Sequence, residues 1–179
     1  MQKLQSRAKS NPAILLRYCI EMIKVAVLTV SDSCSQRKKQ DISGQTIKEM
    51  LAAADFEICD YKIVADRQKT IKRELKYFAD ELKVDIVFTT GGTGLGPRDV
   101  TPEATTEVCE KTVPGLAEIM RAEGLKKTKN AMLSRAVAGV RGNTLIINLP
   151  GSPKAVRESL VVILGVLPHA IDMMLGRGH

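Results

Sequence analysis

The strongest constraint on the fold is a strand–helix alternation along the first half of the chain. Lys24–Val30 reads Lys-Val-Ala-Val-Leu-Thr-Val, and Asp85–Thr90 reads Asp-Ile-Val-Phe-Thr-Thr, with Glu57–Val64 as a further strand between them. Short apolar, β-branched runs bounded by polar residues suit strands of a parallel sheet buried on both faces. Ser31–Asp41 is polar and reads as a loop. Ser43 is then placed to cap a helix to about Ala54, with Ile47, Met50, Leu51 and Ala54 on one face. Lys69–Leu82 repeats the helical pattern, with Ile71, Leu75, Phe78, Ala79 and Leu82 inward. Strand, helix, strand, helix, strand implies right-handed crossovers, with helices on both faces of the sheet.

The second half continues less regularly. Thr101-Pro102-Glu103 has the chemistry of a helix start, with Thr101 as the cap, and Pro114–Glu123 reads as another helix. Val137–Arg141 and Thr144–Leu149 flank Gly142-Asn143 and predict an antiparallel hairpin. Ser152-Pro153 opens a helix that turns Val156, Leu160, Ile163, Leu164 and Leu167 inward, and Pro168 interrupts it. His169 then falls in a last helix, in a packing or capping role. The expected fold is a single-domain, three-layer αβα sandwich of the α/β class, with a mostly parallel sheet and one late antiparallel hairpin. The domain is expected to span residues 22–179. Residues 1–21 read either as an N-terminal extension or as the product of an upstream start codon.

Composition narrows the partners. The formal charge is +7, and residues 1–21 hold Lys3, Arg7, Lys9 and Arg17 against Glu21, which leaves +4 for the rest. That excess suits anionic small molecules better than duplex DNA, which calls for a dense basic stripe. Aromatic residues are 3% and Trp is absent, which argues against base stacking on single strands. No apolar run is long enough to span a bilayer. Neither a nucleic-acid partner nor a membrane is expected. Cys19, Cys34, Cys59 and Cys109 lack metal-ligand spacing and read as reduced thiols, which points to the cytoplasm.

Ligands of open α/β sheets sit beyond the carboxyl ends of the strands. Three loops there carry polar chemistry. The first is Ser31-Asp32-Ser33, with Cys34 beside it. The second runs from Thr90 through Gly91, Gly92, Thr93 and Gly94 to Arg98 and Asp99, with four glycines in six positions. Such a segment can turn successive N–H groups onto an anion, in the manner of a phosphate cradle. The third is Asn148-Leu149-Pro150-Gly151-Ser152 leading to Lys154, a cation in the first turn of a helix, where it makes sense beside a bound anion or as a solvated side chain. No Gly-Lys-Ser/Thr occurs, so a Walker-type P-loop is excluded. Gly92-x-Gly94-x-Gly96 follows the third strand and lacks the spacing of a dinucleotide fingerprint.

Five motifs occur in order. They are Thr-Val-Ser-Asp-Ser-Cys at 29–34, Thr-Thr-Gly-Gly-Thr-Gly at 89–94, Pro-Arg-Asp-Val-Thr-Pro-Glu-Ala-Thr at 97–105, Met-Leu-Ser-Arg at 132–135 and Ile-Asn-Leu-Pro-Gly-Ser at 147–152. Together they resemble the molybdopterin adenylyltransferase family, which includes the bacterial MogA and MoaB proteins and the G domains of gephyrin-like proteins. The resemblance runs from about Ile23 to Leu175.

The resemblance implies transfer of AMP from Mg-ATP to the terminal phosphate of molybdopterin, with release of pyrophosphate. It implies a homotrimer, and a partner in the molybdate-insertion protein of the same pathway. It carries the functional aspartates onto Asp66 and Asp99, as catalytic residues and ligands of Mg²⁺. It places Ser134 and Arg135 near the pterin phosphate. Around Asp66 the chain has Ala65 where many relatives have Pro, and Arg67 where they have an acid. Asp66 could instead cap the next helix, and Asp99 could be a partner of Arg98 or of loop N–H groups. The chemistry needs no nucleophilic side chain, because the attacking group is itself a phosphate. It needs cations, backbone donors and carboxylates that hold two polyanions together. The alternative is a molybdopterin-binding or scaffold protein without turnover. Ser31–Ser33, Ser134–Arg135 and Asn148–Ser152 are expected to converge on one pocket with the glycine-rich loop.

Overall fold

The computed structural model describes residues 22–177. Its sheet has six strands: β1 (Lys24–Val30), β2 (Glu57–Val64), β3 (Ile86–Thr90), β4 (Lys111–Thr112), β5 (Ala138–Arg141) and β6 (Thr144–Leu149), in the order β2-β1-β3-β6-β5-β4. The pairs β1–β2, β1–β3 and β3–β6 are parallel, and β4–β5 and β5–β6 are antiparallel. The short edge strand β4 carries no period of its own, and the sequence does not announce it.

Side chains alternate between two cores because successive residues of a strand point to opposite faces. Val25, Val27, Ile86, Phe88, Leu145, Ile147 and Leu149 pack on one face with helices α1 (Ile42–Ala52), α4 (Pro114–Leu125), α5 (Pro153–Ile163) and α6 (Leu167–Met174). Ala26, Leu28, Val30, Val87 and Ile146 pack on the other, with α2 (Gln68–Lys76) and α3 (Thr101–Val108). This is the three-layer sandwich that the sequence predicts.

Several local expectations change. Ser31–Asp41 is not all loop, since Asp32–Ser35 forms one helical turn capped by Ser31. The cap of α1 is Asp41, not Ser43; its carboxylate accepts from the N–H of Gly44. Ser43 lies inside the first turn, and its hydroxyl donates to the Gly151 carbonyl at 2.8 Å. Ala54 lies beyond the helix and is exposed. The second helix begins at Gln68 and relaxes into a π turn over Tyr77–Glu81. Thr101 is the first helical residue of α3 rather than its cap, because its hydroxyl turns to the carbonyl of Gly91. Before Pro168 the chain tightens into a 3₁₀ turn at Leu164–Val166, and His169 is exposed rather than packed. Cys34, Cys59 and Cys109 are free thiols, and Cys19 lies outside the described residues, as does the segment 1–21. Burial pushes the Cys59 thiol up, and the Cys109 thiol up to about 11, so both stay protonated near neutral pH.

Asp41 also joins three elements at the carboxyl end of the sheet. Besides Gly44 it accepts from the hydroxyls of Thr29 on β1 and Tyr61 on β2. Burial, then the hydrogen bond and charge of Asp41, push the Tyr61 hydroxyl pKa up. Gly44 sits inside this cluster, where a Cβ would lie 2.6 Å from Thr29 Oγ1 and 2.8 Å from Tyr61 Cε2. Gly44→Ala is therefore expected to cost about 2–3 kcal/mol through overpacking, read as a lower denaturant midpoint at unchanged slope.

Candidate functional site

The order of strands reverses between β1 and β3: the chain leaves β1 toward β2 on one side and returns to β3 on the other. Thr29 pairs with Thr90, and Thr90 with Leu149, so the ends of β1, β3 and β6 lie level. All three polar loops seen in the sequence leave the sheet at this crevice, where α/β proteins bind ligands.

The glycine-rich loop is held by its carbonyls. Thr101 donates its hydroxyl to Gly91 at 2.9 Å and its N–H to Gly92 at 3.1 Å. The Arg135 N–H reaches Thr93 at 2.9 Å, and its guanidinium donates to the carbonyls of Gly94 and Asp99 and to the Glu103 carboxylate. Thr90 donates to the Pro150 carbonyl at 2.6 Å. By contrast, the N–H groups of Gly91, Gly92, Thr93 and Gly94 meet no acceptor among the described residues. Gly91 and Gly92 have φ of +94° and +63°, a left-handed pair that side chains disfavour, and the run of N–H groups without acceptors has the donors an anion site requires.

Carboxylates flank the nest. Asp32 and Asp66 exchange hydrogen bonds, each backbone N–H donating to the other's carboxylate, at 2.7 and 3.1 Å. Arg98 closes a fork on Asp32 at 2.6–3.1 Å. The Arg98 hydrogen bond holds the Asp32 carboxyl below its ordinary range, while burial lifts that of Asp66. The second Asp66 oxygen faces Gly92, where a Cβ would lie 3.3 Å away. Asp66 does not cap α2, whose cap position is Arg67 and has no side-chain hydrogen bond. Asp99 turns one oxygen to the N–H of Gly96 at 2.8 Å.

Two cavities adjoin the loop, where one pocket was expected. The first, about 390 Å³, is lined by Ser31, Asp41, Ser43, Asp66, Gly91 and Gly92, with Cys34, Lys39 and Gly151 at its wall. The second, about 350 Å³, lies against Thr93 and Gly94, with Ser134, Pro150 and Ser152 beside them. Its far walls are Ala117, Met120, Arg121 and Gly124 of α4 and Ala155, Glu158 and Ser159 of α5. The glycine-rich loop is thus the partition between the two.

Some predicted residues lie elsewhere. Asn148 is fully buried, and its amide bonds Thr89, Thr105 and the N–H of Val137, so it braces the loop bases and lines neither of these two cavities. Arg135 binds the loop from behind, and its outer side lines a separate surface groove with Glu103 and Glu107. Lys154 is exposed and lines neither of the two cavities. Asp32 and Ser33 lie beside the first cavity rather than on its wall, with Ser33 bonded to Ser31. Sequence reading missed Asp41 and Ser43 on the first cavity and the α4–α5 wall of the second. The Asp41-x-x-Gly44 cap pattern was available as a signal; Ala117, Met120 and Arg121 looked like an ordinary helix face.

Residues 26–169 match a family model described as "Probable molybdopterin binding domain". The chain is 43% identical over 159 residues to a molybdopterin adenylyltransferase of Helicobacter pylori, covering 88% of this chain and 90% of that protein. It is 35% identical over 169 residues to the molybdopterin adenylyltransferase of Escherichia coli K12, covering 86% of each. The crystal structure of the molybdopterin biosynthesis enzyme MoaB from Thermus thermophilus superposes with a TM-score of 0.82 at 53% identity, covering 87% of this chain and 98% of that one.

The Arg98–Asp32 fork has a testable signature. A carboxyl with a depressed pKa stabilises the fold above its ordinary titration range, and that contribution disappears as pH falls through the depressed value. Arg98→Ala is expected to raise the Asp32 midpoint, followed by carboxyl-carbon NMR. An unmoved midpoint would show that Arg98 does not hold it.

Proposed function

The chain belongs to the family of probable molybdopterin-binding domains, and from that premise we propose that it acts as a molybdopterin adenylyltransferase in molybdenum cofactor biosynthesis. It is a nucleotidyltransferase. A terminal phosphate oxygen of molybdopterin attacks the α-phosphorus of ATP, a new P–O bond forms, and the bond to the β-phosphate breaks with pyrophosphate taking the electron pair. The observation that carries this reading is the row of unpaired N–H groups from Gly91 to Gly94 on a partition between two cavities. Two phosphorylated substrates bound on either side would meet at that partition, and the amides offer fixed donors to the charge there.

Each residue has a part in this proposal. Gly91, Gly92, Thr93 and Gly94 hold phosphate oxygens, with Ser31, Thr90 and Gly151 on the first side and Ser134, Pro150 and Ser152 on the second. Asp66 and Asp99 fit a magnesium ion, a hard cation commonly held by one or two protein carboxylates together with phosphate oxygens. Each presents one oxygen without a hydrogen-bond donor among the described residues. Bound there, magnesium would neutralise phosphate charge as the leaving group departs. Asn148 and Arg135 act through the loops that they brace, and Lys154 adds positive potential at long range.

We further infer a homotrimer working in the cytoplasm, with the molybdate-insertion protein as a partner. Exposed Val161, Val166 and Met173 offer apolar surface for assembly, and no helix among the described residues is long and apolar enough to cross a membrane.

Incubation with molybdopterin, ATP and Mg²⁺ is expected to give the AMP ester and pyrophosphate by mass spectrometry. Tight molybdopterin binding without ester would favour the scaffold alternative. Asp99→Asn keeps an acceptor for Gly96 but loses the charge. It is expected to lower turnover on the order of a hundredfold or more with an unchanged unfolding midpoint; wild-type turnover would remove Asp99 from the mechanism.

A further inference from the structure

The second cavity differs in kind from the first. Ala117, Met120, Ala131, Leu133, Ala136 and Ala155 give it apolar walls. On α5, Ser152, Ala155, Glu158 and Ser159 recur at helical spacing and form one side of it, while Val156, Leu160 and Ile163 turn to the core. Among the described residues that line this slot, Glu158 is the one carboxylate; the other polar groups there are hydroxyls, the Asn130 amide and Arg121. It forms no ion pair and no side-chain hydrogen bond among the described residues. The cation on the facing helix does not serve it, because the Arg121 guanidinium donates to the carbonyls of Ser134 and Ala136, the latter at 2.8 Å.

A carboxylate next to an apolar slot asks for a flat ring with donors on its edge. An ionised carboxylate only accepts hydrogen bonds, and two adjacent parallel donors engage both of its oxygens. The two rings of this reaction differ at that point. The 2-amino-4-oxo ring of a pterin presents its amino group and N3–H side by side, two donors. The adenine edge presents a 6-amino donor next to the N1 lone pair, and that lone pair would face a carboxylate oxygen.

We propose that Glu158 is a specificity residue that reads the 2-amino and N3–H edge of the pterin in the second cavity and rejects adenine from it. This rests on the molybdopterin adenylyltransferase reading and sharpens it. One carboxylate assigns the two substrates to opposite sides of the partition, so that ATP does not fill both. A buried or half-buried acceptor that loses its matched donors discriminates strongly between rings of similar size.

The test is direct binding of molybdopterin and of ATP, each titrated separately against the wild-type protein, Glu158→Gln and Glu158→Ala. Glutamine preserves shape but presents an N–H₂ donor to a donor edge. In both variants the Kd for molybdopterin is expected to rise about tenfold or more, with the Kd for ATP within about twofold of wild type and the unfolding midpoint unchanged. An unchanged molybdopterin Kd in Glu158→Gln overturns the proposal, and so does an equal loss for both ligands. The functional reading fails separately, through absence of the AMP ester in the wild-type protein, whatever the variants bind.

Discussion

The site depends on how the carbonyls of the glycine-rich loop are held. A glycine-rich segment is free in principle, and the proposed role of this one as a phosphate cradle needs it fixed. Thr101 and Arg135 resolve the conflict by taking the carbonyls of Gly91, Gly92, Thr93, Gly94 and Asp99 from the side away from the cavities. With the acceptor face of the backbone engaged, the donor face is left without acceptors among the described residues. Glu103 completes the device: it pairs with Arg135, and that hydrogen bond lowers the carboxyl pKa of Glu103. The guanidinium is thereby fixed before it reaches the loop.

The same logic runs beneath the loop. Asn148 is a buried amide with all its chief groups bonded, and it ties β6 to β3 through Thr89 and to α3 through Thr105. Asp41 gathers β1, β2 and the start of α1, while Ser43 reaches across to Gly151. Buried polar groups in such numbers are costly unless satisfied. Among the described residues no buried side-chain nitrogen or oxygen lacks a partner. The polar network therefore aligns the three loops without introducing strain that the apolar cores would have to offset.

The layers of the fold were legible because they follow from periodicity. β1, β2, β3 and β6 alternate with amphipathic helices; β1, β3 and β6 are buried as their apolar runs imply, while β2, at the sheet edge, is half-exposed. The site was legible as far as its loops. What sequence could not show is which way a polar side chain turns once the loops meet. Asn148 and Arg135 have the chemistry of ligand residues, but their partners lie tens of residues away inside the protein. Thr101 has the chemistry of a helix cap, but the carbonyl of Gly91 is a competing acceptor that only the folded loop brings near. Asp41 and Tyr61 are twenty positions apart and meet only across two strands. The division into two cavities is a fact of the same sort, since no run of residues marks a partition.

A loop clamped at so many points also bears on the energetics of encounter. Little backbone has to be ordered when a ligand arrives, so the conformational entropy of that segment has already been removed during folding. Differences in affinity between related ligands would then lie mainly in how long each stays bound, with arrival rates set by diffusion and by charge. Heat-capacity changes on binding would report the apolar area covered in the second cavity more than any rearrangement of the chain. Rigidity at the partition thus makes the protein a nearly passive template, in which the substrates, and not the backbone, do the moving.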